Sequence, residues 1–200
     1  MCRWMAWLGQ PVLVEELLFN TEHGIVDQSL HSRLGAEPTN GDGFGFGWYG
    51  SGVGSTDTEV VFYLALTLGL QEDPLGALER TVGVIESIAA RHGIEDAVQA
   101  TFGVSDGTTL WGVRYATTGP ARSLFASANV DAVRRLHPDN PRFQRLSPND
   151  RLIVSEPFSD LPGIWDEIPP STSVTVRSGG VLEQQPFRPR VPQFATMADA

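Results

Sequence analysis

Apolar residues recur along this chain with two different periods. Over Cys2–Leu8 they alternate: Cys2, Trp4, Ala6 and Leu8 share one face, and Arg3, Met5 and Trp7 share the other. A period of two is that of a pleated strand, so a first strand is expected here. Val12–Phe19, behind Pro11, suits a short helix, and the polar stretch from Gly24 to Asp42 reads as irregular. Gly43-Phe44-Gly45-Phe46-Gly47-Trp48-Tyr49 alternates glycine with aromatics, as a strand does where another backbone or a ligand approaches closely. Thr56-Asp57-Thr58-Glu59 is a capping-box pattern, which satisfies the unpartnered N–H groups at a helix start. It predicts a helix from Asp57 to about Leu70. Val60, Val61, Phe62, Leu64, Leu66 and Leu68 make that helix apolar nearly all round, so it is expected to be buried between layers.

Asp73-Pro74 supplies a second helix start, an N-cap followed by proline at the first helical position. Leu75, Leu78, Val82, Ile85 and Ala89 form one stripe, and Gly93 suits the C-terminal cap. From there the period returns to two. Val98, Ala100, Phe102 and Val104 alternate, Asp106-Gly107 turns, and Leu110–Tyr115 alternates again, which predicts a hairpin. Ser123–Ser127, Arg151–Ser155, Ser173–Arg177 and Val181–Gln185 continue as a meander, with Ser178-Gly179-Gly180 as its last turn. The order of strand, helix pair and antiparallel strands predicts a layered α+β fold. Residues 1–190 are expected to form one domain and 191–200 a tail, with the chain exposed from Arg188 onward.

Composition narrows the classes of function. Charged residues make up 19% of the 200 and hydrophobic ones 41%, a globular balance. The formal net charge is −10, whereas a nucleic-acid or anionic-membrane surface calls for a basic footprint, so neither partner is expected. All 14 basic residues are arginine, which excludes a Schiff-base or phosphate-cradling lysine. The single cysteine cannot form an internal disulfide, the first residues lack a signal-peptide pattern, and no apolar run is long enough to span a bilayer. A cytoplasmic protein is therefore expected. His23, His31, His92 and His137 show no ligand spacing, so each reads as a surface or packing residue and no metal is expected.

The lone thiol, Cys2, has two readings. It is either a buried structural thiol or, once Met1 is removed, a residue carrying both a nucleophilic sulfur and a free α-amine. That amine titrates near pH ~8 and can serve as the proton acceptor. Two other segments bear on the choice. Asn40-Gly41-Asp42-Gly43-Phe44-Gly45 is a polar turn leading into the glycine-rich strand, and no strand–turn–helix unit surrounds it to make a dinucleotide site. Asp57 places a carboxylate in the first turn of a helix. There it either compensates the helix dipole or faces a ligand ammonium group.

Taken together, these segments resemble the class II glutamine amidotransferases of the N-terminal nucleophile hydrolase superfamily. The closest likeness is to the branch that includes the ergothioneine-biosynthesis γ-glutamyl amidohydrolase. The resemblance is carried by Met1-Cys2-Arg3-Trp4, Asp27-Gln28-Ser29-Leu30, Asn40–Tyr49, Gly54–Gly69, Val154-Ser155-Glu156-Pro157, Pro162-Gly163-Ile164-Trp165 and Pro186-Phe187. It implies a four-layer αββα sandwich of two antiparallel sheets between helix layers. It also implies hydrolysis of a γ-glutamyl amide: Cys2 attacks the amide carbon to form a thioester, its own amine relays the proton, and water releases glutamate. Asp57, with Thr56, would bind the glutamyl ammonium group. Groups around Thr39, Asn40 and Gly41 would hold the N-terminal amine. No cofactor is implied.

The chain departs from the family between Tyr49 and Ser55. The family carries an arginine that clamps the substrate carboxylate and a His-Asn-Gly turn that makes the oxyanion hole. Here Gly50-Ser51-Gly52-Val53-Gly54 leaves no room for either, and part of one sheet is expected to be missing. Arg114-Tyr115-Ala116-Thr117 resembles the missing arginine motif but lies on a later strand. Loss of one oxyanion donor alone costs about a hundredfold to a thousandfold in rate. Slow turnover and weak γ-glutamyl binding are thus expected, and the other expectation is a catalytically impaired relative serving as a binding subunit. With no second domain for an acceptor, a separate synthase or pathway enzyme is the expected partner, and exposed sheet edges suggest a homo-oligomer.

Overall fold

The computed structural model describes residues 4–10, 24, 28 and 57–192, with Asp57 described for its backbone alone. Its elements in chain order are β1 (Met5–Leu8), α1 (Asp57–Thr67), α2 (Pro74–Arg91), β2 (Gln99–Ser105), β3 (Thr109–Ala116), β4 (Phe125–Ser127), α3 (Val130–Leu136), α4 (Pro141–Arg145), β5 (Arg151–Val154), β6 (Trp165–Glu167), β7 (Thr172–Arg177) and β8 (Val181–Pro186). The strands form two four-stranded antiparallel sheets, ordered β1-β5-β4-β6 and β2-β3-β7-β8. The fold is the expected α+β one with two antiparallel sheets.

The second half is not one meander, however. After β3 the chain crosses to the other sheet, builds β4, β5 and β6 there, and returns for β7 and β8. β6 and the helices α3 and α4 were not anticipated from periodicity. Each of the two helices nevertheless begins with the signal that marks α2. Asn129 Oδ1 accepts from the Asp131 N–H and Asn140 Oδ1 from the Arg142 N–H, and Pro141 follows its cap just as Pro74 follows Asp73.

Local patterning settled the helix pair and the first hairpin. Asp73 accepts from the Gly76 N–H at 3.1 Å and opens α2. At the other end Ile94 N–H donates to Ala89 and Gly93 N–H to Ala90, with Gly93 at φ +73°, a paired terminating motif that glycine accommodates without strain. In the hairpin, Asp106 Oδ1 accepts from the backbone N–H groups of Thr108 and Thr109, and these bonds hold its carboxyl below the usual range.

Apolar side chains collect in three places. Leu78 and Val82 of α2 and Ala65 of α1 pack with Val98, Val113 and Phe187 against the outer face of the second sheet. Leu110, Leu124, Ile153, Ile168, Val174 and Val176 fill the space between the sheets, joined by Trp4, Ala6 and Leu8. Leu152, Val154 and Phe158 pack with Met5, Trp7, Phe125 and Trp165 on the far face of the first sheet. The two faces of β1 read from alternation are thus the two faces it presents. Every residue of β5 is buried, as expected of a strand covered on both sides.

Two expectations are corrected and a third refined. α1 is not buried all round: Ala65 and Leu68 face inward, but Val60, Phe62 and Tyr63 are 67%, 47% and 50% exposed. Among the described residues α1 has α2 and the sheet on one side only, so its other faces meet solvent. The stretch from Gly24 is not wholly irregular, since Gln28 is helical and its N–H donates to Gly24 at 2.8 Å. From Arg188 the chain is mostly exposed as expected, at Arg188, Arg190 and Val191, yet it is held against the fold. Residues 187–192 lie across α2, with Phe187 and Pro192 buried. Arg188 N–H donates to Glu79 Oε1, Arg190 N–H donates to the Glu79 carbonyl, and the Arg190 guanidinium pairs with the Glu79 carboxylate at 3.5 Å. The contact needs Gly83, because a Cβ there would stand 2.4 Å from the Arg190 backbone. The expected strand at Gly43–Tyr49 and helix at Val12–Phe19 fall outside the described residues, as do 193–200 of the expected tail.

Candidate functional site

Cys2, Asn40, Gly41 and Thr56 lie outside the described residues, as does Thr39. Asp57 opens α1 where the capping pattern placed a helix start, and its side chain lies outside the described residues. The structure does describe how the chain is held immediately beyond Cys2.

β1 is paired with β5 from Leu8↔Arg151 to Met5↔Val154. Beyond that register, Ser155 N–H donates to the Trp4 carbonyl at 3.1 Å, and Trp4 N–H donates to Ser155 Oγ at 3.0 Å. The Ser155 carbonyl accepts from Ser123 Oγ at 2.8 Å. The Trp4 indole N–H donates across to Thr101 Oγ1 of β2 at 2.9 Å, so one side chain bridges the two sheets. Gly103 leaves room for that ring, since a Cβ there would lie 2.7 Å from it. At the opposite end of β1, Asp150 Oδ1 accepts from the Gln10 N–H at 3.0 Å.

Next to Ser155, Gln28 is fully buried. Its amide Nε2 donates to the carbonyls of Glu156 at 3.2 Å and Pro157 at 3.4 Å. Glu156 is itself buried. Three parts of the chain far apart in sequence therefore meet: Trp4 at the head of β1, the helical Gln28 and the Ser155-Glu156-Pro157 run. All three carry the family resemblance, but no local period marks their meeting. Ser155 and Gln28 act through a few hydrogen bonds to groups 151 and 128 or 129 residues away, which a sequence pattern does not encode.

Arg114 does not take the place of the absent clamp. It is buried on the inward face of β3, where its guanidinium pairs with Glu167 at 2.7 Å and donates to the carbonyls of Ile168 and Ala121. It joins the sheets through β6 and the segments beside it. Arg151 does similar structural work, donating to the carbonyls of Gly180 at 2.7 Å and Ser127 at 3.2 Å. Burial lowers its pKa, partly offset by the Asp166 carboxylate.

His92 caps α2 and His137 caps α3, with a His137 ring nitrogen 2.9 Å from the Pro162 carbonyl. His23 and His31 lie outside the described residues. A surface depression of about 540 Å³ lined by Leu136–Pro141 sits at the α3–α4 junction and includes none of the residues that carry the resemblance. Among the described residues no cluster of His, Cys, Asp or Glu has the make-up of a metal site, and no helix is long and apolar enough to cross a membrane.

Comparison with known proteins bears on this site. No family model matches the chain. Over 53 residues, 24% of its length, it is 43% identical to the Saccharomyces cerevisiae protein described as "Probable glutamine amidotransferase DUG3", of which the match covers 15%. Among solved structures it is similar to a glutamine aminotransferase class-II domain protein from Silicibacter pomeroyi, with 30% sequence identity and a TM-score of 0.55. That match covers 69% of this chain and 54% of the other, so the chain spans about half the length of its structural relative. In sequence and in fold, then, this protein is similar to glutamine amidotransferases of the class II type.

Proposed function

We propose that this chain is an N-terminal cysteine amidohydrolase of the class II glutamine amidotransferase family. It cleaves a γ-glutamyl amide through a Cys2 thioester and releases glutamate. The observation that carries the reading is the anchorage of Trp4, two residues beyond Cys2, by Ser155 and Thr101 beside the buried Gln28 and Glu156. A nucleophile on a chain terminus is useful only if the terminus is held, because effective molarity depends on a fixed approach geometry. The likeness to class II amidotransferase proteins supports the same chemistry.

In this reading the thiolate attacks the amide carbon, and the α-amine takes the thiol proton and passes it to the leaving nitrogen. Water then opens the thioester. Asp57 and Thr56 bind the glutamyl ammonium group, and Asn40 and Gly41 hold the N-terminal amine. The substrate belongs to the γ-glutamyl amides, with the ergothioneine-biosynthesis branch as the placement. Turnover is slow, because the short Tyr49–Ser55 link leaves out the arginine clamp and the His-Asn-Gly turn. The protein works in the cytoplasm beside a separate synthase or pathway enzyme and self-associates.

The test is glutamate release from glutamine and from γ-glutamyl amides, with intact mass measured on the same sample. The expected result is loss of Met1, measurable release, and abolition of release by Cys2→Ala. Retained Met1 with no release and no labelling of Cys2 by a glutamine-like electrophile would support the second reading, a catalytically impaired relative acting as a binding subunit. The short Tyr49–Ser55 link is the observation that favours it.

A further inference from the structure

β8 closes one edge of the longer sheet, with β7 on one side and no described strand on the other. Five of its six residues are exposed. Its pairing with β7 runs one to one from Arg177↔Val181 to Thr172↔Pro186, so no bulge turns the edge away. Two bonds fix which backbone groups face β7. Phe187 N–H donates to the Ser171 carbonyl, and the Gln185 carbonyl accepts from Ser173 Oγ, so the odd-numbered residues of β8 face inward. Direction alternates along a strand, and the groups of Leu182, Gln184 and Pro186 therefore point out of the sheet. They offer the N–H groups of Leu182 and Gln184 and the carbonyls of all three, since proline has no N–H. Among the described residues nothing pairs with them.

We propose that this edge pairs with β8 of a second copy, antiparallel about a two-fold axis at Gln184. Centred there, the two Gln184 residues exchange both backbone bonds, and each Leu182 N–H meets the Pro186 carbonyl of the other copy. Every outward donor is then satisfied, and only the Leu182 carbonyls, at the two ends of the ladder, are left to water. Glu183 falls opposite Gln185, whose amide can donate to its carboxylate. Centring on Glu183 instead sets two carboxylates face to face, which is destabilising. Centring on Gln185 pairs Gln184 with the donorless Pro186 and loses the bonds at the axis. The strand thus complements itself in one register, and that selects a second copy as the occupant. Such a contact closes at two copies and removes the free edge of both. It gives a surface to the self-association proposed above and rests on that reading.

The test is sedimentation velocity of the full-length protein over a concentration series at low and high salt. Each copy has a net charge of −10, so the copies repel and salt screens the repulsion. The expected result is a concentration-dependent dimer that tightens as salt is added. Gln184→Pro removes the donor at the axis but leaves the ladder to β7 intact, because that N–H faces outward. Losing two backbone bonds should weaken the dimer about thirtyfold. Gln184→Lys brings like charges together at the axis and should weaken it about fivefold. Gln184→Cys in a Cys2→Ala background sets two Cα atoms about 5.5 Å apart and should form an intermolecular disulfide on mild oxidation. Val181→Cys in the same background lies about 20 Å from its counterpart, at ~3.4 Å per residue, and should not.

A monomer under all conditions overturns both this pairing and the self-association reading. Hydrogen exchange at the Gln184 amide then tells an edge left to a strand of another protein from one covered within its own chain. A dimer untouched by Gln184→Pro and Gln184→Lys overturns the β8 pairing alone, and so does cross-linking through Val181→Cys as readily as through Gln184→Cys. If Gln184→Pro does not fold, Gln184→Lys and the cross-linking pair decide.

Discussion

The sheet of β2, β3, β7 and β8 has strands of 6 to 8 residues, whereas the sheet that carries β1 has strands of 3 or 4. The longer sheet contains two hairpins, β2–β3 and β7–β8, whose registers are set by the turns at Asp106-Gly107 and Ser178–Gly180. The shorter sheet joins Met5 to Val154 and Phe125 to Glu167, with no tight turn inside it. It is stitched at its ends by side chains: Ser155 and Ser123, Ser127 to the Leu152 N–H, Arg151 to Gly180, and Asp150 to Gln10. Few local contacts specify the shorter sheet, so its geometry depends on single polar bonds. The strand nearest in sequence to the proposed nucleophile, β1, belongs to that sheet. β1 thus lies where individual hydrogen bonds, rather than long ladders, set the backbone.

Removing the contact both sheets share should have the largest effect. Ile153 is fully buried between them, and Ile153→Ala should cost about 2–5 kcal/mol in denaturant unfolding. A loss well below that range would mean that the sheets are not packed through this residue and would remove the basis for contrasting them.

A second measurement separates the helix layer from the strap that crosses it. Gly83→Ala places a methyl 2.4 Å from the Arg190 backbone, an overpacking worth about 1–3 kcal/mol, against a gain in helix propensity of about 1 kcal/mol. The substitution should destabilise the full chain and stabilise one ending at Phe187. The same sign in both would show that residues 188–192 do not rest on α2.

The smallest effect is confined to alkaline pH. Tyr115 on β3 donates to Glu86 Oε1 at 2.7 Å, and its pKa is pushed up to about 12, first by burial and then by the Glu86 carboxylate. A raised tyrosine pKa favours the neutral form in the fold. Its contribution to stability is fully present below pH ~10, the unfolded value, and is lost as pH rises through about 12. Glu86→Gln should move the phenolate absorbance midpoint of Tyr115 down toward the ordinary value without altering stability at neutral pH. No movement would mean that burial alone holds the hydroxyl neutral.

Much of the layered core was legible without coordinates. The capping aspartate before Pro74, the stripe from Leu75 to Ala89, the glycine stop at 93 and the alternation through β2 and β3 are local rules, and the structure follows each. The two faces of β1 were equally plain, because a period of two admits only one division of Trp4, Ala6 and Leu8 from Met5 and Trp7. Where reading failed, the deciding contact was distant. Arg188 to Pro192 is mostly exposed, as its polar, proline-broken sequence suggests, but its contact with Gly83 and Glu79 on another element was not legible. α1 looked buried because composition reveals apolar residues but not how many neighbours surround them.

By itself, then, the amino-acid order determined the α+β class, the helix limits at Asp73 and Gly93, the β2–β3 hairpin and the presence of one cysteine at position 2. Each of these depends on interactions within a few residues. Tertiary structure alone decided that strands β4 to β6 leave one sheet for the other, that Arg114 bridges the sheets, and that Ser155 and Thr101 grip Trp4. Those outcomes depend on which groups become neighbours once water is expelled from between the sheets. A hydroxyl or guanidinium buried there must take the partner that packing brings within reach, however far away it lies in the chain.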